Sequence, residues 1–239
     1  MSKVQVVKAV AKAIAKLCQQ DGFIRINVGT EPEVFYFHRD DDSYFCEFTC
    51  SFSGRGSYSA GCYISIVYKE LSHIMHALLK GTKYEEYYNI SNYSSHFVGV
   101  GIGSGKPIRD NGILYVDSVD DADRYAEELY ERMKEAEQNY ILPAANIENT
   151  IGGFMKKLYY FWPGGFECFI AHLVAYGIKT NDAKIINYAF EKIEEVMPKV
   201  VERARPIDFI NTVKEKLAEQ HAELWHPARE DILHGKQER

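Results

Sequence analysis

No stretch of this chain is apolar for long enough to read as a membrane span, and no excess of positive charge marks a surface for phosphates. The 239 residues carry a formal charge of −6 and a pI near 5.8. A nucleic-acid surface relies on Lys and Arg to displace counterions, so this balance disfavours one and fits a cationic protein partner instead. The opening segment MSKVQVVKAVAKAIAKL sets Lys8, Lys12 and Lys16 inside its apolar pattern. That pattern suits neither a signal peptide nor a spanning helix, so the expected location is the cytoplasm, with no membrane partner.

Cysteine is sparse and odd in number, five in all. Without a secretory signal this argues for reduced thiols rather than a disulfide framework. No C-x-x-C knuckle is present: CEFTC spaces Cys46 and Cys50 by three residues inside a strand pattern. Cys46, Cys50 and Cys62 fall among Phe and Ile on an apolar face, where free cysteine is a small core residue, and no His or Asn is placed to activate a thiol. The pair His73 and His76 lacks the glutamate of a zinc-protease helix. The segment DSVDDAD lacks the alternation, glycine and distal glutamate of a calcium loop. No metal, cofactor or catalytic residue is therefore expected.

What is present is a glycine-rich stretch, HFVGVGIGSGKPIRD, at residues 96–110. Read as a strand, it puts Val98, Val100 and Ile102 on one face and leaves Gly99, Gly101 and Gly103 to flatten the other. A flat glycine face implies a close neighbour, and a helix packed over it is the structural expectation. The chemical alternative is a phosphate cradle made by Gly101, Gly103, Gly105 and Lys106, with His96 and Asp110 as acid and base groups. The spacing departs from both phosphate fingerprints: Val100 stands where a P-loop needs its first glycine, Pro107 replaces the hydroxyl, and Ser104 occupies the third glycine of the dinucleotide motif.

Around this stretch the periodicity predicts an amphipathic helix over residues 3–20 and strands at 24–28, 34–39, 44–52 and 62–68. Tyr44, Cys46, Phe48, Cys50 and Phe52 share one strand face, with Phe45 an exception on the polar face. A helix at 69–80 and a tyrosine-rich connection follow. After the glycine strand, Ser118 and Asp121 form a capping arrangement before a helix over 120–140, whose Glu127, Glu128, Glu131 and Glu135 read as a solvated face. Beyond Pro143 the pattern is helical: 147–162, 166–178, 181–201 with a kink at Pro198, and 207–225, with breaks at Pro163 to Gly165, Gly177 to Asn181 and Arg205 to Pro206. The fold class is α+β: an N-terminal helix and a mostly antiparallel sheet with flanking helices, followed by a C-terminal helical bundle. The expected domains are a sheet domain at 1–142, helices at 143–225 that pack on it or stand apart, and a polar tail at 226–239.

The order of helix, Gly22-Phe23 turn, aromatic strands with a Gly/Ser hairpin, and SVDDADRYAEELYERMKEAEQNYILP resembles uncharacterised bacterial α+β domains found among toxin-immunity proteins, over residues 3–158. The resemblance implies a non-enzymatic, cytoplasmic protein-binding module, an immunity-type inhibitor of a cationic toxin. The acidic loop Asp40-Asp41-Asp42 would steer such a partner, and its alternative reading is a hydrated turn. Two other classes stay open. One is a small-ligand or phosphate-binding protein, or an enzyme, using the 99–106 loop; the other is a phage or mobile-element structural component.

Overall fold

The computed structural model describes residues 3–26, 34–54, 58–88, 98–102, 115–155, 165–196 and 204–225. The chain is of the α+β class and divides into two compact units, Met1–Lys69 with Phe97–Pro163, and Glu70–His96 with Gly164–Arg239. The sequence pattern suggested a single line at Pro143. The units interleave because the last residue of the fourth strand leads directly into a helix of the second unit, and the chain then returns to the sheet.

The first unit starts with α1 (Lys3–Gln20), whose Val7, Val10, Ile14 and Cys18 are buried. The helix stops at Asp21-Gly22, where Gly22 takes φ +77°, a left-handed conformation that only glycine adopts freely. Five strands form one antiparallel sheet in chain order: β1 (Ile24–Ile26), β2 (Val34–Asp40), β3 (Tyr44–Ser53), β4 (Ser59–Tyr68) and β5 (Val98–Ile102). Alternation sets the faces as expected. Phe35 and Phe37 of β2, Cys46, Phe48, Cys50 and Phe52 of β3, and Cys62, Ile64 and Ile66 of β4 are all buried on the helical side.

The second covering helix is α3 (Ala122–Ala136), which packs on α1 and the same sheet face through Tyr125, Ala126, Leu129 and Met133. Ser118 braces the turn that precedes it: its hydroxyl donates to the carboxylate of Asp121, the N-cap residue, at 2.8 Å and accepts from the Asp121 N–H at 3.3 Å, so the expected cap lies one turn ahead of the helix. The pattern for one helix to residue 140 conceals a change of winding. α3 passes into a π-helical turn (Glu137–Ile141), then the short α4 (Leu142–Ala144), then α5 (Ile147–Met155). Pro143 has no N–H to donate, which favours a restart of the helix there.

The second unit contains α2 (Lys69–Leu78), a 3-10 turn (Glu85–Tyr88), α6 (Gly165–Thr180), α7 (Ala183–Val196) and α8 (Ala204–Gln220). Its core joins Leu173 and Val174 of α6, Ile186 and Phe190 of α7, and Phe209 and Val213 of α8. The Tyr84 ring meets Phe209 edge-on at 5.1 Å while its hydroxyl donates to Asp208 at 2.5 Å. Tyr84 is thus a core residue with a polar handle, and buried Tyr88 stacks on Phe209 at 6.3 Å. Gly177, expected to begin a break, lies inside α6. The turn comes at Asn181, at φ 54°, a conformation that asparagine tolerates better than most residues. Pro206 occupies the first turn of α8, where a missing N–H costs least. The expected kink at Pro198 and the polar tail lie outside the described residues.

Candidate functional site

The sheet face turned away from α1 and α3 carries a row of polar positions. The register sets Ile24 opposite His38, His38 opposite Glu47, Glu47 opposite Ser65, and Ser65 opposite Gly99. His38, Glu47 and Ser65 are all buried. In the next row Tyr36, Thr49, Tyr63 and Gly101 stand opposite one another, and there Tyr63 is 46 % exposed. One end of this face is covered and the other is open. Phe45 and Val67, apolar residues on the nominally polar face, form the row beyond Glu47 and were the signal that this end is covered.

Burial pushes the Glu47 carboxyl up to about 7, opposed only by the Thr49 hydroxyl, which donates to it at 3.2 Å. Burial pushes the His38 imidazole below its ordinary value, so it is neutral at pH 7. The Ser65 hydroxyl donates to the Glu47 backbone carbonyl at 3.3 Å. That hydroxyl is hydrogen-bonded to the backbone, so the row holds a titratable carboxyl but no serine engaged with a base.

On the helical face, burial pushes the Cys18 thiol up to about 12, with the Asp21 charge adding to it, and raises Cys46 and Cys50 as well. These three are poor nucleophiles near neutrality. Among the described residues no three His, Cys, Asp or Glu side chains are grouped to hold a metal. His73 is exposed, and His76 approaches Glu85 at 3.6 Å.

The Asp40 to Asp42 turn is built around Lys69. The ammonium donates to the Asp40 carboxylate and the Asp41 carbonyl, reaches the Asp42 carbonyl at 3.4 Å, and lies 4.7 Å from the centre of the Phe45 ring. Arg39 pairs with Asp41 at 3.2 Å and with buried Glu137 at 2.7 Å. Two of the three aspartates therefore have their charge offset from within, and Asp42 alone has no ion pair among the described residues. Gly101 sits in β5 opposite Tyr63. By register it falls in the row of Tyr63, on the face away from α1 and α3. Gly103, Gly105, Lys106, His96 and Asp110 lie outside the described residues.

A row of negative charge without ion pairs among the described residues runs along α3. Asp123, Glu127, Glu131 and Glu135 recur every four residues, all exposed, and none has a cationic partner among the described residues. The cations of the helix are engaged elsewhere: Arg124 with Asp121, Arg132 with Glu128, and Lys134 with Asp21 and Glu137. The four carboxylates make a stripe about 18 Å long at the helical rise of 1.5 Å per residue. The spacing was visible in the sequence, but which of the cations were engaged was not.

No helix among the described residues is long and apolar enough to cross a membrane. Comparison with protein-family models, curated proteins and solved structures finds no match.

Proposed function

We propose that this chain is a non-enzymatic, cytoplasmic protein-binding module, an inhibitor of the immunity type whose partner is a cationic protein domain. The observation that carries the reading is the stripe of Asp123, Glu127, Glu131 and Glu135 on α3. Like charges four residues apart on a helix repel, costing about 0.2–0.5 kcal/mol per pair. Three such pairs in succession oppose folding, and none of the four carboxylates is in an ion pair among the described residues. A basic partner turns that repulsion into attraction and speeds encounter through long-range steering. The net charge of −6 acts in the same direction. An odd number of cysteines fits reduced thiols and a cytoplasmic setting.

The test is retention of proteins from source-cell lysate on the immobilised chain across a salt series, beside a Glu127→Gln, Glu131→Gln double variant and an Asp42→Asn variant. A stoichiometric basic protein should be retained at low salt, released at high salt, and weakened by the α3 variant more than by Asp42→Asn. If the α3 variant retains the same protein undiminished, the stripe is not the contact surface.

A further inference from the structure

Cys50 and Cys62 occupy directly opposite positions on β3 and β4, and the Cys62 thiol donates to the Cys50 sulfur at 3.0 Å. Opposed residues of an antiparallel pair have Cα atoms about 4.5 or 5.5 Å apart, according to the type of pair. Both values lie inside the range of about 4.4–6.8 Å that a disulfide spans. Both residues are buried, at 1 % and 2 % exposure, and both are thiols in this structure. A third buried thiol, Cys18, lies on α1, the helix that covers this face of the sheet. Cys46 differs, because the residue opposite it on β4 is Ile66.

We propose that Cys50 and Cys62 are a latent cross-strand disulfide, formed by exchange with a low-molecular-weight disulfide such as oxidised glutathione. Cys62 passes its proton to solvent and its sulfur attacks one sulfur of the reagent; the reagent S–S bond breaks, and the departing thiolate takes up a proton. Cys50 then loses its proton and attacks the Cys62 sulfur of the mixed disulfide. The second reagent thiolate leaves and is protonated. The protein has lost two hydrogens, and the small disulfide has become two thiols. Since the sulfurs are buried, the first attack waits for local opening of the hairpin, and its rate reports that opening.

The experiment exposes the folded, full-length chain to oxidised glutathione, blocks remaining thiols with N-ethylmaleimide, and maps unreduced peptides by mass. The expected product is lighter by two hydrogens before blocking, has one bridge joining Cys50 to Cys62, and carries maleimide, added after quenching in denaturant, on Cys18, Cys46 and Cys168. A Cys18→Ala variant should form the same bridge. The bridged protein should keep its far-ultraviolet circular dichroism and unfold at higher urea than its reduced form, since the cross-link restrains the unfolded chain. Persistent glutathione on either residue, a bridge from either to Cys18, Cys46 or Cys168, or bridging only after addition of denaturant would each overturn the proposal.

Discussion

The hydroxyl of Tyr68 donates to the carbonyl of Ala144 at 2.5 Å and meets the Thr150 hydroxyl at 2.7 Å. This joins the end of β4 to the place where the helical run after α3 is interrupted. In an unbroken helix the Ala144 carbonyl would accept from the N–H of residue 148. Here Asn146 caps α5 instead, and its side-chain oxygen takes the Glu148 N–H at 2.9 Å. Tyr68 supplies the donor that the interruption removes. Tyr68→Phe should cost about 1–3 kcal/mol, the penalty for a buried acceptor left with a poor bond. Urea unfolding measures it, and a loss below about 0.5 kcal/mol would mean that Thr150, 3.4 Å from the same carbonyl, replaces the tyrosine fully.

Glu47 makes stability depend on pH in the opposite sense to an ion-paired carboxylate. Its carboxyl is raised from 4.5 to about 7 in the folded chain, so between these values the folded state binds more protons than the unfolded state. Stability from this group is therefore full below about pH 4.5 and falls as pH rises through 7, by about 3 kcal/mol in all. Glu47→Gln keeps an acceptor for Thr49 and has no charge to bury. Urea unfolding at pH 5 and pH 8 should show the variant gaining on the parent at pH 8. Equal pH slopes for the two proteins would show that the carboxyl is solvated.

Lys69 holds the β2–β3 turn from the far end of β4. Replacing it with Met keeps the stem over Phe45 and removes the donor to Asp40 and to the carbonyls of Asp41 and Asp42. Since Asp40 is largely exposed, the loss should be about 1 kcal/mol. Amide exchange localises the effect: the Asp41 N–H, bonded to the Tyr44 carbonyl at 3.0 Å, should exchange faster, while Ile64 in the centre of β4 should be unaffected. Uniform acceleration would mean that the clasp supports the whole sheet.

Strand faces were legible in the sequence because α1 and α3 cover one face of the sheet, and alternation of Cys46, Phe48, Cys50 and Phe52 records that directly. Phe45 and Val67 marked this end of the other face as covered, but the burial of Glu47 itself was not legible, because its neighbours across the sheet come from positions 38 and 65. The clasp of Lys69 on the aspartate turn spans 27 to 29 positions and has no local signature. Gly177 suggested a break because glycine is a poor helix former by propensity, whereas here it is used for close packing. A Cβ at residue 177 would lie 2.5 Å from Ile186 Cγ1 and 3.1 Å from the Asp182 carbonyl.

That close approach gives a direct test of the helical hairpin. Gly177→Ala adds helix propensity worth about 1 kcal/mol but forces Ile186 and the Asp182 backbone apart, which costs about 1–3 kcal/mol. The net change should be destabilising. Pairing it with Ile186→Val, which shortens the colliding side chain, should recover part of the loss in a double-mutant cycle. Additive behaviour would place the strain on the backbone carbonyl instead.

The α3 stripe allows stability and binding to be driven apart by one substitution. Glu131→Lys converts two repulsive i,i+4 pairs, with Glu127 and Glu135, into attractive ones on an exposed face. Glu127 precedes the introduced lysine by four residues, the favourable orientation of acid before base. The variant should be more stable by about 1 kcal/mol at low salt, and the gain should shrink as screening rises. If the stripe is the surface for a basic partner, the same variant binds that partner more weakly, because it places a cation in the middle of the contact. A variant that is both more stable and weaker in binding shows that the repulsion serves association. One that is more stable and binds equally well makes the four carboxylates a solvated face and moves the search for the contact to the open end of the sheet around Tyr63.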